Sequence, residues 1–194
     1  MGEKTVLLHT CCAPCSSAII EALMQNGITP VIYYCNPNIY PQEEYEIRKN
    51  ECTRYAQSLG LEIVDADYDH ENWLDAVKGM ENEPERGGRC LKCFKLRLLR
   101  TAQYASERGI KVITTTLASS RWKSLDQINE AGRWACQQPI LVRRSSAAPH
   151  DEVIWWDQNW RKGGLQERRL QIIKEYDFYN QLYCGCEFSI RKED

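Results

Sequence analysis

The chain has 194 residues, 25 Lys+Arg against 27 Asp+Glu, 43% apolar residues and ten cysteines. That length and balance fit one globular domain and exclude collagen-like, coiled-coil and disordered classes. The formal charge of −2 excludes a global basic field, so a nucleic-acid partner would need a local patch.

No apolar run reaches the roughly 20 residues that span a bilayer, and Met1-Gly-Glu-Lys-Thr lacks a signal-peptide pattern, so the expectation is a cytoplasmic protein without a membrane partner. In a reducing compartment ten cysteines point to metal ligands or redox thiols rather than structural disulfides.

In chain order, Thr5-Val-Leu-Leu-His9 reads as a strand and residues 16–26 as a helix closed by Gly27. Val31-Ile-Tyr-Tyr34 is a second strand, followed by a helix over 42–59. Glu62-Ile-Val-Asp65 is a third strand. A long helix over 89–108 carries the apolar stripe Leu91, Phe94, Leu98, Ala102 and Ala105. Lys111-Val-Ile-Thr114 is a fourth strand, 124–136 a helical stretch, Ile140-Leu-Val142 a further strand and 165–175 a last helix. The alternation predicts a single α/β domain over 1–194, a mainly parallel sheet flanked by helices. Its core is expected over about 1–142 and a C-terminal lid or helical and loop extension over about 143–194. Ligands of such sheets gather beyond the strands' carboxyl ends. That edge would hold His9-Thr-Cys-Cys12, Cys35-Asn-Pro-Asn38, Asp65-Ala-Asp-Tyr-Asp69 and residues 114–120.

Cys11, Cys12 and Cys15 cluster where a strand passes into a helix, and unpaired N–H groups there should lower thiol pKa values. Cys90 and Cys93 open the long helix on one face, among Arg89, Lys92, Arg97 and Arg100. Cys184-Gly-Cys186 permits a tight chelate or a strained, reducible disulfide. Cys52 and Cys136 fall on helix faces as core residues, and Cys35 is ambiguous. Adjacent cysteines are poorly disposed to share one zinc ion but can ligate different irons of a cluster. A [4Fe–4S] cluster on Cys11, Cys12, Cys90 and Cys93 is therefore the simplest arrangement. Cys15, Cys184, Cys186, His9 and the Asp65/Asp67/Asp69 group remain near enough to reach a substrate or a second metal, with Cys15, Cys184 and Cys186 the candidates for an additional iron ion. Asp67, Asp69, His9 and Tyr40 are the candidate proton donors.

Five ordered motifs now become recognisable. They are Leu8-His-Thr-Cys-Cys-Ala-Pro-Cys-Ser16, Asn36-Pro-Asn-Ile-Tyr-Pro-Gln-Glu-Glu-Tyr45, Arg89-Cys-Leu-Lys-Cys-Phe94, Thr114-Thr-Thr-Leu117 and Cys184-Gly-Cys-Glu-Phe-Ser189. Together the chain resembles the QueH type of epoxyqueuosine reductase. The resemblance implies a fold like the adenine-nucleotide α-hydrolase group without its Gly-rich phosphate loop, and no such loop is present here. It also implies removal of an epoxide oxygen in the last step of queuosine synthesis, on tRNA carrying epoxyqueuosine at the anticodon wobble position. The same resemblance assigns Cys11, Cys12, Cys90 and Cys93 as cluster ligands and Cys184/Cys186 as a redox-active pair.

Deoxygenation needs two electrons, hence an external donor. Cys184, Cys186, Cys15, Asp67 and Asp69 are the candidates for the chemistry; His9, Asn36, Asn38, Tyr40, Arg89 and Arg97 are those for substrate binding. Arg86, Arg89, Lys92, Lys95, Arg97 and Arg100 form a basic stretch beside the cysteines, with Arg161, Lys162, Arg168 and Arg169 a second. Trp155, Trp156 and Trp160 would stack an unpaired base. The competing classes are a tRNA sulfur-transfer enzyme, disfavoured by the missing phosphate loop, and a zinc-stabilised RNA-binding module, which would be redox-silent.

Overall fold

In the computed structural model, which describes residues 4–139 and 152–190, the first strand β1 (Lys4–Thr10) is buried from Val6 onward. Burial on consecutive residues, rather than alternate ones, means that both faces are covered, as in a parallel sheet sandwiched between helices. β2 (Ile28–Tyr34), β3 (Ile63–Asp65), β4 (Val112–Thr115) and β5 (Ile154–Trp155) complete the sheet. The order is β3-β2-β1-β4-β5, with every pairing parallel. The helices are α1 (Ala13–Gln25), α2 (Gln42–Ser58), α3 (His70–Val77), α4 (Gly88–Arg108), α5 (Leu125–Gln137) and α6 (Leu165–Tyr176). α1 packs on α2 and α6, while α4 packs on α3 and α5. This is the doubly wound α/β architecture expected from the alternation of elements. The chain leaves β1 in opposite directions toward β2 and β4, so the crevice between the ends of β1 and β4 is the topological switch point. Among the described residues no helix is long and apolar enough to cross a membrane.

Three differences from the sequence reading have physical causes. α1 starts at Ala13, three residues before the expected Ser16, because Pro14 is accommodated in a first turn whose N–H groups need no partner. That places Cys15 inside the helix. α3 was not anticipated: it is short, and Trp73, Leu74 and Val77 make too brief an apolar stripe to register, although Trp73 and Val77 are buried.

The strand expected at 140–142 lies outside the described residues. The fifth strand is Ile154–Trp155, in the stretch expected to be a lid. Trp155 is held there by α5. Its indole N–H donates to Asn129 Oδ1 at 3.3 Å, and its ring lies so close to Gly132 that a Cβ there would come within 2.2 Å of Cδ2. Trp160 is 4% exposed and meets Trp156 edge-on. The expectation that Trp155, Trp156 and Trp160 stack a base is therefore corrected: their rings are used to join β5 and its following turn to the core. The exposed tryptophan is Trp122, at 64%.

Candidate metal centre

β1 ends at Thr10 and α1 begins at Ala13, so Cys11 and Cys12 occupy the junction and Cys15 the first helical turn. The three sulfurs lie within 4.8 Å of one another, the one such group of ligating side chains among the described residues. Cys11 N–H donates to Thr116 Oγ1 at 3.3 Å, which ties the cluster to the end of β4. Gln181 Nε2 reaches in from the C-terminal segment, 3.0 Å from the Cys12 sulfur and 3.9 Å from that of Cys15. A sulfur-only donor set at this spacing suits a thiophilic metal such as iron, and N–H groups aimed at sulfur stabilise the bound thiolates. The residues present fit a metal centre.

The expected general lowering of thiol pKa values holds for Cys11 alone. Hydrogen bonds from Cys12, then Cys15, favour its thiolate over the burial that opposes it. Cys12 is pushed well up by burial. Cys15 is pushed up to about 12, chiefly by its hydrogen bond to Cys11. Three adjacent sulfurs cannot all ionise in a dry site without a cation, so one negative charge settles on one of them.

The same correction applies at α4. Cys90 and Cys93 are both raised, by burial first. Arg89, whose guanidinium is bonded to the carbonyls of Met80, Glu81 and Glu83, lowers Cys90 but is outweighed by burial.

Two cavities adjoin here. A small one of about 50 Å³ is lined by Cys90, Cys93, Cys184 and Cys186, with Trp73 and Phe94. A large one of about 710 Å³ is lined by Cys11, Cys15 and Cys184. Cys184, Arg97, Lys123 and Asn38 belong to both walls. The fold thus brings the three cysteine groups of the sequence to one edge, with Cys184 between the other two. The large cavity is lined by six basic side chains, Arg48, Arg97, Arg121, Lys123, Arg161 and Arg169, against the single acid Glu85.

The Cys184-Gly-Cys186 turn is seated by contacts that local sequence does not reveal. Arg48, paired with Glu44, donates to the carbonyls of Tyr183 and Cys184 at 3.3 Å each. Tyr40 N–H donates to the carbonyl of Gly185 at 2.8 Å, and Tyr183 Oη donates to Tyr40 O. Gly185 has φ +109°, and a Cβ there would meet Ile39 Cγ1 at 2.9 Å and Arg48 Nη1 at 3.0 Å. G185A is expected to displace both sulfurs while leaving the sheet intact. Unchanged far-ultraviolet circular dichroism, with turnover reduced about a hundredfold, a cost of roughly 2.7 kcal/mol in barrier, is the expected pair of readings.

The remaining candidates divide sharply. His9 is fully buried. Its Nε2 faces the Cys35 carbonyl at 3.0 Å and so carries the proton, while Nδ1 lies 2.7 Å from Thr115 Oγ1 and accepts. Burial, and then Arg97, lower its pKa to about 3, so it is a neutral brace between β1, β4 and the loop after β2. Asn36 and Arg97 are likewise internal: Arg97 Nε donates to Cys35 O at 3.2 Å, its Nη2 to Asn36 Oδ1, and Asn36 Nδ2 to Thr10 O at 2.9 Å. Asn38 lines both cavities with a buried Oδ1 that has no hydrogen-bond partner among the described residues. Tyr40 is exposed and stacks on His70. Asp67 is exposed and presents its carbonyl to Arg100. Asp69 caps α3, its Oδ1 accepting from Asn72 N–H at 3.4 Å. Neither aspartate lines either of these two cavities. D69A is accordingly expected to cost about 1 kcal/mol of stability in urea unfolding, the usual loss of an N-cap, with turnover unchanged.

The basic stretch is partly internal, with Arg86 and Lys92 exposed. Arg89 and Arg97 are buried, Lys95 pairs with Glu130, and Arg168 is shared between Glu21 and Glu175. Cys35 is buried among these groups and its carbonyl is the common acceptor. Cys52 is a core residue and Cys136 packs against the core.

These features define a doubly wound α/β protein whose ligand edge is a thiol-lined, cationic cavity able to hold a metal. The family model described as "Epoxyqueuosine reductase QueH" matches residues 6–192. The chain is 48% identical over 190 residues to Epoxyqueuosine reductase QueH of Histophilus somni, covering 98% of this chain and 74% of that protein. It is 47% identical to the protein so described from Haemophilus influenzae, covering 98% of this chain and 73% of that protein. With that from Thermotoga maritima it shares 33% identity, over 96% of this chain and 90% of the other. The chain belongs to the epoxyqueuosine reductase QueH family.

Proposed function

We propose that this chain is an oxidoreductase that reduces epoxyqueuosine in tRNA to queuosine, in the cytoplasm, with electrons from an external donor. The observation that carries the reading is the convergence of Cys11 and Cys15, with Cys12 beside them, and of Cys90, Cys93, Cys184 and Cys186 around two adjoining cavities at the switch point. Cys11, Cys12, Cys90 and Cys93 would hold a [4Fe–4S] cluster, leaving Cys15, Cys184 and Cys186 for a second iron or, for the last two, a redox pair. When bound, the cluster supplies single electrons at low potential.

The chain's own residues do the rest. A cavity of about 710 Å³ takes a nucleoside but not a stacked RNA strand, so the modified base must be turned out of the anticodon loop to enter. The arginines of the wall favour the flanking phosphates over neutral ligands. The buried Asn38 Oδ1 offers a free acceptor to a hydroxyl or amine of the ligand.

Anaerobic purification with iron and sulfide analysis, combined with nucleoside analysis of tRNA treated with the enzyme and a chemical reductant, tests the reading. A brown protein with about four iron per chain or more, and conversion of the epoxide nucleoside to queuosine, is expected. Stoichiometric zinc with no conversion would overturn it.

A further inference from the structure

Opening an epoxide to an alkene breaks two C–O bonds, forms one C=C bond and releases the oxygen as water. The balance requires two electrons, which the external donor of the reductase reaction supplies, and two protons. The side chains on the cavity walls offer few transferable protons. Arginines keep theirs. Tyr183 Oη is committed to Tyr40 O, and Ser119 Oγ to Thr116 O at 2.8 Å. Glu85 is exposed at the rim.

Lys123 is placed differently. Its backbone is pinned on both sides, with N–H donating to Ser120 O at 3.3 Å and the carbonyl accepting from Arg161 Nη2 at 2.8 Å. Immediately after it, Ser124 caps α5. These bonds hold the backbone in place, and Lys123 lines both cavities. Yet among the described residues its ammonium has no ion pair and no side-chain hydrogen bond, in a protein whose other wall cations are mostly tethered. A partly buried ammonium without a partner is costly unless a ligand satisfies it.

We propose that Lys123 hydrogen-bonds to the epoxide oxygen and protonates it as the first C–O bond breaks. This rests on the reductase reading above. The alkoxide that forms is a far stronger base than a lysine amine, so the transfer from Nζ is downhill. Solvent then restores the proton to Nζ and supplies the second proton with which the oxygen leaves as water.

The test uses the metal-loaded full chain, wild type, K123A and K123R, with epoxyqueuosine-containing tRNA and a chemical reductant. Iron content, tRNA affinity and turnover are measured separately. K123A is expected to keep its iron and to bind tRNA within about threefold of wild type. Its turnover should fall by about 10²–10⁴, the usual contribution of a positioned acid. Added ethylamine or methylamine should restore part of that turnover, in an order that follows amine pKa, and K123R should stay slow because a guanidinium keeps its proton. Turnover of K123A near the wild-type rate would overturn the proposal. So would iron loss, a fall in tRNA affinity that accounts for the whole defect, or full activity in K123R, which would reduce Lys123 to a structural, phosphate-binding or charge role respectively. An inert wild type would sink the reductase reading itself, and the two failures are thereby told apart.

Discussion

C11S is expected to lose iron and turnover together, with iron content near zero and activity down at least about a thousandfold, roughly 4 kcal/mol of barrier. The reason is positional. Cys11 is the sulfur on which the triad's negative charge settles, it lines the large cavity, and its N–H is anchored to Thr116 at the end of β4. A serine hydroxyl of similar shape is a hard, weakly acidic ligand that does not replace a thiolate on iron. The fold of the metal-free protein should persist, since Cys11 is only partly buried. C52S is the control that separates ligation from packing. Cys52 is 3% exposed inside the core, so its serine variant should keep iron and turnover while losing about 1–3 kcal/mol of stability for a buried hydroxyl without a partner. Urea unfolding of the metal-free variants, alongside iron analysis, reads both effects. Iron retained by C11S at wild-type levels would remove Cys11 from the proposed ligand set.

G132V carries the largest expected cost to the fold. A Cβ at Gly132 already falls 2.2 Å from the Trp155 ring, and two further methyl groups leave the indole no place on α5. The expected loss is about 3 kcal/mol, at the upper end for overpacking. Displacing Trp155 also breaks its bond to Asn129 and frees β5 from β4, where it pairs through Val112 and Ile113. In a double-mutant cycle W155A should cost much less in the G132V background than alone, a coupling of 1 kcal/mol or more by the usual scale for residues in contact. Additive losses would mean that the clash is relieved elsewhere.

The alternation of elements was legible because it depends on local patterns. Val6 to Thr10 is buried on both faces and reads as a continuous strand, and Phe94, Leu98, Ala102 and Ala105 repeat at helical spacing and are all buried. The thiol groups were legible for the same reason: each is a short motif at a strand end or helix start. Lys123 gave no such signal, since it has no cysteine neighbour and becomes part of the site only when the turn before α5 meets the C-terminal segment. Gln181 and Arg48 act on Cys12 and on the Cys184 turn from 169 and 136 residues away in the chain, a range that spacing arguments do not reach.

By itself, then, the amino-acid sequence determined the α/β order and the sheet edge at which the cysteine motifs gather, because propensity and burial periodicity act within a few residues. Tertiary structure alone decided the fate of the charges and rings. It buried Arg89 and Arg97 against carbonyls, locked His9 as a neutral brace, spent Asp69 on a helix cap and pressed Trp155 onto Gly132. Among the described residues it left Lys123 without an ionic partner in the wall of the cavity. The physical reason is that desolvation and hydrogen-bond partnership are properties of packed neighbours, and those neighbours come from distant segments.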